Sequence, residues 1–436
     1  MRKGRYTVWA LLAAGMLLGA AAGLLEEGIR GEDSPAIKEE AAGGLTEESS
    51  GGGQEIISLG EREGEISVSW KGSAHGPKWV RYGRTEEKED RWKMIKGKAE
   101  RALGGKYFRY HAILEDLDPG EEYFYETGDG ESFYRRKIFT APDREGETRF
   151  LYLGDVQFDA SMEDYKSWGN MTRRIYRKNR ELDFAVIGGD MVNEPLEAEQ
   201  WNSFFNSARV FAGLPLMTVS GNHEGVSSNI TYRKMLPMPE KGPGKEGSRV
   251  REELAGNFFF FDYGSCRLIM LDSSFLTEQR REGLGEKLWK SCERAVEEWL
   301  KKTFESAGDR WLIVVIHHPP YGIHDEEVSR SIRDRWTPLM ERGGAHLVLS
   351  GHQHMYMRTR RINGIVYLMG NSGARKSAYY NGYNGPVYAR SLYGEGPTYE
   401  IITVSKDSLK IEARNEKDRV LDRVFLKKEI TYFQIF

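Results

Sequence analysis

The 436-residue chain has nine histidines, and five of them fall in three short groups, Asn222-His223, His317-His318 and His352-Gln353-His354. Each group closes an apolar, β-rich run: "LPLMTVSGNHE", "RWLIVVIHHPPY" and "AHLVLSGHQH". Two further runs of the same kind, "RFLYLGDVQ" and "LDFAVIGGDMVNE", close on Asp155 and Asp190. Asp155, Asp190, Asn222, His317, His352 and His354 together offer two carboxylates, an amide oxygen and three imidazoles. That oxygen and nitrogen set suits borderline divalent metals. No thiolate belongs to it, which excludes a structural zinc site of the cysteine type. Strand alternation across His352-Gln353-His354 would send both rings to one side, where each serves one of two adjacent metals.

The segments between these runs carry helical periodicity. In "LWKSCERAVEEWLKKTF" the residues Leu288, Cys292, Ala295, Trp299 and Leu300 fall near a 3.6-residue spacing. Continuous apolar strands alternating with helices predict a layered α/β fold with substantial buried sheet. Ligands of such sheets gather beyond the carboxyl ends of the strands, so the five polar groups are expected to converge there. A single Gly-Asp after a strand is ordinarily a turn, and a single Gly-Asn-His is ordinarily a loop. Five such endings in one chain, each after a strand-like run, give the metal reading its weight.

The N-terminus "MRKGRYTVWALLAAGMLLGAAAGLL" joins a basic start to an apolar run from Tyr6 to Leu25, with small residues at Ala20 to Ala22. Residues 1–25 are expected to be a signal peptide or, since the run nears the length that spans a bilayer, an uncleaved membrane anchor. Either places the remainder outside the cytoplasmic membrane, secreted or held at its outer face. Residues 26–54, acidic, glycine-rich and short of aromatics, are expected to be a flexible tether. From residue 55 to 142 the pattern changes to short alternating runs such as "EISVSW" and "PKWVRYG", broken at Asp118-Pro119-Gly120 and Gly128-Asp129-Gly130. This is the pattern of a small antiparallel sandwich. Within it, "HAILEDLDPGEEYFYETGDG" resembles the fibronectin type III family, and a spacer role is expected of it. The 63 Lys and Arg nearly balance 66 Asp and Glu, so nucleic acid is not an expected partner. Cys266 and Cys292 suit either one disulfide or two buried thiols.

The ordered series Gly154-Asp155, Gly189-Asp190, Gly221-Asn222-His223-Glu224, Val314 to His317 and Gly351-His352-Gln353-His354 resembles the calcineurin-like metallophosphoesterase superfamily. With the strand-rich module ahead of it, the chain is similar to the purple-acid-phosphatase branch. The resemblance implies a four-layered α/β/β/α sandwich over residues 146–430, built around two divalent metals. Carried over by position, Asp155 binds the first metal, Asp190 bridges both, and Asn222 and His317 bind the second. His352 joins the second metal, His354 joins the first, and His223 faces the substrate as the catalytic acid. Two positions depart from the family. Asn193 stands where purple acid phosphatases carry a tyrosine, so a divalent pair of manganese, zinc or iron is expected in place of a stable ferric ion. Gln157 stands where other branches carry a histidine, and either completes the first metal's shell through its side-chain oxygen or supports it from behind.

Around this set, Glu224 is expected to orient His223 by accepting from its other ring nitrogen. His318, His324, Arg358 and Arg375 are candidates for holding phosphate oxygens, the arginines through their paired N–H groups. The closing segment from Thr398 to Glu429 is expected to add strands to the catalytic sheet. The activity implied is hydrolysis of small-molecule phosphate monoesters by in-line attack of a hydroxide held between the metals. A phosphodiesterase or nucleotidase would share every ligand and differ in pocket shape. A cell-surface binding protein with a vestigial catalytic domain is the non-enzymatic alternative. Against it stands the near-complete ligand set, because a buried charge that no metal offsets is costly to keep. Nothing in the sequence sets an oligomeric state.

Overall fold

The computed structural model describes residues 53–73, 78–105, 107–158, 162–225, 229–377 and 384–428. The expected export segment and the expected tether as far as residue 52 lie outside these residues, whereas Gly53 and Gln54 already belong to the first strand. Among the described residues no helix is long and apolar enough to cross a membrane.

The alternating N-terminal sequence folds into two four-stranded antiparallel sheets. One orders β1 (Gly53–Leu59), β2 (Ile66–Gly72), β6 (Tyr107–Leu114) and β5 (Lys98–Ala102). The other orders β4 (Lys93–Lys96), β3 (Trp79–Arg84), β7 (Glu122–Gly128) and β8 (Lys137–Thr140). Alternation buries one side of each strand, so Val68 and Trp70 of β2 turn inward, and Trp70 stacks on Tyr110 at 5.8 Å. The sandwich is more than a spacer, because its apolar core runs without a break into that of the following domain. Tyr125 Oη donates to Ala212 O at 2.9 Å, and Lys71 Nζ donates to Asn202 Oδ1 at 2.8 Å. Arg109, fully buried, donates to Gln54 O and Ser69 Oγ and lies 4.1 Å over the Phe205 ring.

Two larger sheets follow. The first orders β11 (Leu216–Thr218), β10 (Phe184–Ile187), β9 (Thr148–Leu153), β19 (Thr398–Val404), β20 (Ser408–Asn415) and β21 (Val420–Lys427). The second orders β12 (Phe258–Tyr263), β13 (Cys266–Leu271), β14 (Trp311–Ile316), β15 (Leu347–Ser350), β17 (Val366–Met369), β16 (Tyr356–Thr359) and β18 (Ala389–Tyr393). Strands β9, β10 and β11 run parallel, as do β13, β14, β15 and β17. Their nearly continuous apolar sequences suit burial on both faces. Alternate residues of the second sheet divide between two cores. Ile313, Val315, Leu347 and Leu349 join the core of the first sheet, and Leu312, Val314, Ile316 and Val348 join Trp289, Cys292, Val296 and Leu300 of the Glu286–Glu305 helix. Trp168, Met171 and Ile175 of α1 (Met162–Lys178), with Trp201 and Phe204 of α2 (Ala198–Ser207), belong to the first sheet's core.

This is the expected mixed α/β metallophosphoesterase architecture behind an all-β region. Burying an aliphatic side chain of this size is worth about 1.5–3 kcal/mol, so the strand ends sit on a stiff base. The closing strands enter through β19, which pairs antiparallel with β9. Cys266 and Cys292 are both buried and unpaired, one in each core.

Candidate metal centre

Five strand ends from the two sheets meet at one edge. Asp155 follows β9, Asp190 follows β10, Asn222 opens the short helix α3 (Asn222–Gly225) after β11, His317 follows β14, and His352 and His354 follow β15. Ligand atoms of Asp155, Asp190 and His317 lie within 4.8 Å of one another, and so do those of His317, His318 and His352. His317 Nε2 is 3.1 Å from Asp190 Oδ2 and 3.0 Å from Asn222 Oδ1. His352 Nδ1 is 2.8 Å from the same Asn222 oxygen, and His354 Nε2 is 3.7 Å from Asp155 Oδ1. The structure thus brings together Asp155, Asp190, Asn222, His317, His352 and His354.

Close approach explains two of the motif glycines. A Cβ at Gly221 would overlap Asp190 Oδ1, and a Cβ at Gly351 would overlap Asp155 Oδ2. The turn after β15 departs from the sequence expectation. The strand ends at Ser350, and His352 and His354 have φ of 76° and 52°. Both rings reach the site through left-handed backbone, a conformation uncommon for residues other than glycine, and not through strand alternation. Gln353 turns aside, accepting from Ile323 N and donating to His324 O.

Asp190 and His317 form one buried electrostatic pair. Burial opposes the Asp190 charge, but the adjacent His317 keeps the carboxyl well below the usual carboxylate range. Burial likewise opposes a charged His317, and Asp190 outweighs it, raising the imidazole. His317 Nδ1 lies 2.9 Å from Gly188 O, which directs Nε2 at the carboxylates. Asp155 Oδ2 accepts the His352 backbone N–H at 2.7 Å, whereas Asp155 Oδ1 is buried and has no hydrogen-bond partner among the described residues. Gln157 Oε1 is in the same condition. An unsatisfied buried polar atom costs about 1–3 kcal/mol, and more when charged. Two such oxygens beside carboxylate, amide and imidazole donors fit a divalent cation.

His223 stands over this set. Its Nδ1 donates to Asn193 O at 2.7 Å, which leaves Nε2 toward the cavity, 2.6 Å from Gln157 Nε2. Glu224 does not orient it. The Glu224 carboxylate is buried and accepts from the backbone N–H groups of Asp190 and Val192 at 3.0 Å and of Gly221 at 2.9 Å. Burial, with the Asp190 charge, pushes it up to about 7. Its work is to hold the Asp190 loop, since three peptide donors outcompete one ring nitrogen. The group that orients His223 is a backbone carbonyl, which leaves no trace in the sequence.

A cavity of about 340 Å³ opens over the centre, and His324, Arg375 and Lys376 are among the residues that wall it. His318 is not. It is buried, its Nδ1 is 2.8 Å from Ser273 Oγ, and burial, with His352 and His317 nearby, keeps it neutral. Arg358 is also elsewhere, because Asp422 on β21 takes its guanidinium with bonds of 2.6 and 3.1 Å. A residue that sequence reasoning missed is Glu326. Its Oε2 is 2.8 Å from His352 Nε2, and its Oε1 is 2.9 Å from His324 Nε2. Partial burial works against its charge, yet His352 and His324 draw it down to about 2. Its one signal was the acidic run beside His324 in "HDEE".

The calcineurin-like phosphoesterase family matches residues 148–356, and the purple acid phosphatase N-terminal domain matches residues 54–141. An uncharacterized protein of Mycobacterium tuberculosis is 26% identical over 283 residues, 59% of this chain and 51% of its own length. The Fe(3+)-Zn(2+) purple acid phosphatase 12 of Arabidopsis thaliana is 23% identical over 346 residues, 71% of this chain and 66% of its own. The chain thus spans about half the length of the first of these relatives. The solved purple acid phosphatase of yellow lupin (Lupinus luteus) seeds has a similar fold, with a TM-score of 0.67 at 17% identity over 87% of this chain and 75% of that one. Together the two family matches, each falling on the part of the fold just described, show a chain built from a purple acid phosphatase N-terminal domain followed by a calcineurin-like phosphoesterase domain.

Proposed function

We propose that this chain is an exported, metal-dependent phosphoric ester hydrolase that acts on small-molecule phosphate monoesters with two divalent metals. One observation supports this above all: ligand atoms of Asp155, Asp190 and His317 lie within 4.8 Å of one another, and a buried carboxylate oxygen of Asp155 among them has no hydrogen-bond partner among the described residues. Asp155, His354 and the Gln157 oxygen would hold one metal, Asn222, His317 and His352 the other, and Asp190 would be shared, because a carboxylate has two oxygens to divide. When bound, the pair would supply positive charge that polarises the phosphoryl group and eases deprotonation of water. Export rests on the N-terminal sequence, where a basic start leads into an apolar run.

The remaining steps belong to side chains of the chain itself. His223, with Nδ1–H committed to Asn193 O, presents Nε2 to the cavity; as the imidazolium, with a second proton on Nε2, it would pass that proton to the departing alkoxide oxygen and return to the neutral ring. Water adds its oxygen to phosphorus as the ester P–O bond breaks, so the products are an alcohol and inorganic phosphate. Proton delivery of this kind is worth about 10²–10⁴-fold in rate. Arg375, hydrogen-bonded to Asn193 Oδ1 at 3.3 Å, and its neighbour Lys376 place positive charge on the cavity wall, where phosphate oxygens would lie. His324, held by Glu326, faces the same space.

Elemental analysis of the purified chain, paired with hydrolysis of p-nitrophenyl phosphate and bis-p-nitrophenyl phosphate, tests the reading. About two metals per chain and monoester preference are expected. Diester preference would transfer the site to a phosphodiesterase. No metal and no hydrolysis after addition of manganese, zinc or iron would refute it.

A further inference from the structure

The C-terminal half of α1 carries a second concave site. A cleft of about 600 Å³ is lined by Arg173, Arg174, Arg177 and Arg180, by Tyr176, and by Arg209 from the turn that follows α2; no carboxylate is among its lining residues. Arg174 and Lys178 are drawn to Asp418, and Arg174 also donates to Glu416 O. The other four arginines make no ion pair among the described residues. Arg173 donates to the Asn170 amide oxygen, Arg209 Nε donates to Asn206 O at 3.1 Å, and Arg180 lies 4.7 Å over the Tyr176 ring.

Spacing makes this a built arrangement. Arg173, Arg177 and Arg180 follow one another at four and three residues, so they share a face of the helix and its exit. Like charges at that spacing repel. The negative end of the helix dipole accounts for Arg177 and Lys178 in the last turn. It does not account for Arg173, about three turns from the start and more than one turn from the end, or for Arg209, which arrives from a different element and extends the same charge. Guanidinium groups around a concave wall present paired N–H donors that match phosphoryl oxygens. The volume falls in the range of small-molecule sites. The cleft is also separate from the metal centre. Trp168 Nε1 donates to Ser372 Oγ at 3.2 Å, and that hydroxyl bonds to Asp155 O; Arg177 lies nine residues on, about 14 Å further along the helix axis.

We propose that this cleft binds a small anion carrying two or more closely spaced phosphoryl groups, at a site distinct from the candidate metal centre. Such groups are offered by a soluble oligophosphate or by an anionic lipid headgroup. The test is calorimetric titration of the full chain with inorganic tripolyphosphate, for wild type, R177E/R180E and R177K/R180K. The expected result is saturable binding by wild type that weakens by at least about tenfold in R177E/R180E, while p-nitrophenyl phosphate hydrolysis stays within about twofold. Tripolyphosphate that also enters the metal centre is distinguished, because only the event in the cleft is lost in the double variant. Flotation with phosphatidylcholine vesicles doped with phosphatidylinositol 4,5-bisphosphate, whose headgroup carries adjacent phosphoryl groups, identifies the source. Capture that R177E/R180E abolishes points to the headgroup, and tripolyphosphate binding without capture points to the soluble anion. Both support the site. Wild-type binding by R177E/R180E, equal binding by R177K/R180K, which keeps the charge and loses the paired donors, or no binding to either probe would overturn it.

Discussion

Replacing Glu400 with glutamine should make the protein more stable, and more so as pH rises. Glu400 lies in β19 opposite Tyr152 of β9 and is fully buried. Thr398 Oγ1 donates to its Oε1 at 3.1 Å, while Oε2 has no partner among the described residues. Burial therefore pushes its carboxyl from 4.5 up to about 8. The unfolded chain releases this proton near the ordinary value, whereas the folded chain keeps it until about 8. The folded state thus binds more protons between those limits, and stability falls as pH rises through them. At about 1.4 kcal/mol for each pH unit the loss comes to about 5 kcal/mol. That is a large part of the roughly 5–15 kcal/mol that holds an ordinary domain together. Glutamine cannot ionise, so Glu400→Gln should differ from wild type by less than about 1 kcal/mol near pH 4 and by about 5 kcal/mol near pH 9. Urea unfolding followed by tryptophan fluorescence across that range measures the difference. A gap between variant and wild type that stays constant with pH would refute the argument.

Asp190→Asn should lower bound metal and bring hydrolysis close to background, because the shared charge that His317 and the metals need is gone; elemental analysis beside kcat checks both at once. His223→Ala should keep the metals and lose about 10²–10⁴-fold in kcat, and leaving groups that need no proton should recover most of the loss. Glu224→Ala removes the acceptor of three buried N–H groups, each costing about 1–3 kcal/mol unpaired. Its melting temperature should therefore drop by more than that of His223→Ala, which calorimetry would show. Arg109→Ala should destabilise the whole described chain and not the sandwich alone, since its guanidinium stacks on Phe205 across the domain boundary. Two separate melting transitions in place of one would be its signature.

Strand ends with their polar groups were legible because a strand buried on both faces must be apolar, so the first polar residues after it stand out. That logic located Asp155, Asp190, Asn222, His317, His352 and His354 from order alone. It also failed in instructive places. It put His352 and His354 on one side for the wrong reason, since positive φ and not alternation aims both rings inward. It paired Glu224 with His223 because they are neighbours in sequence, although the buried carboxylate instead satisfies three peptide N–H groups. It offered Arg358 to the substrate, but a carboxylate 64 residues away holds it.

Burial periodicity and residue type are local properties, so the layered α/β architecture and the candidate residues Asp155, Asp190, Asn222, His317, His352 and His354 could be read from the sequence alone. Only the tertiary structure decided what each of those residues faces. Asn193 O under His223, Glu326 behind His352, Asp422 on Arg358 and the arginine wall of α1 are pairings between distant segments. Hydrogen bonds and ion pairs act over a few ångströms, and which groups come within that reach is set by how two sheets and their helices pack.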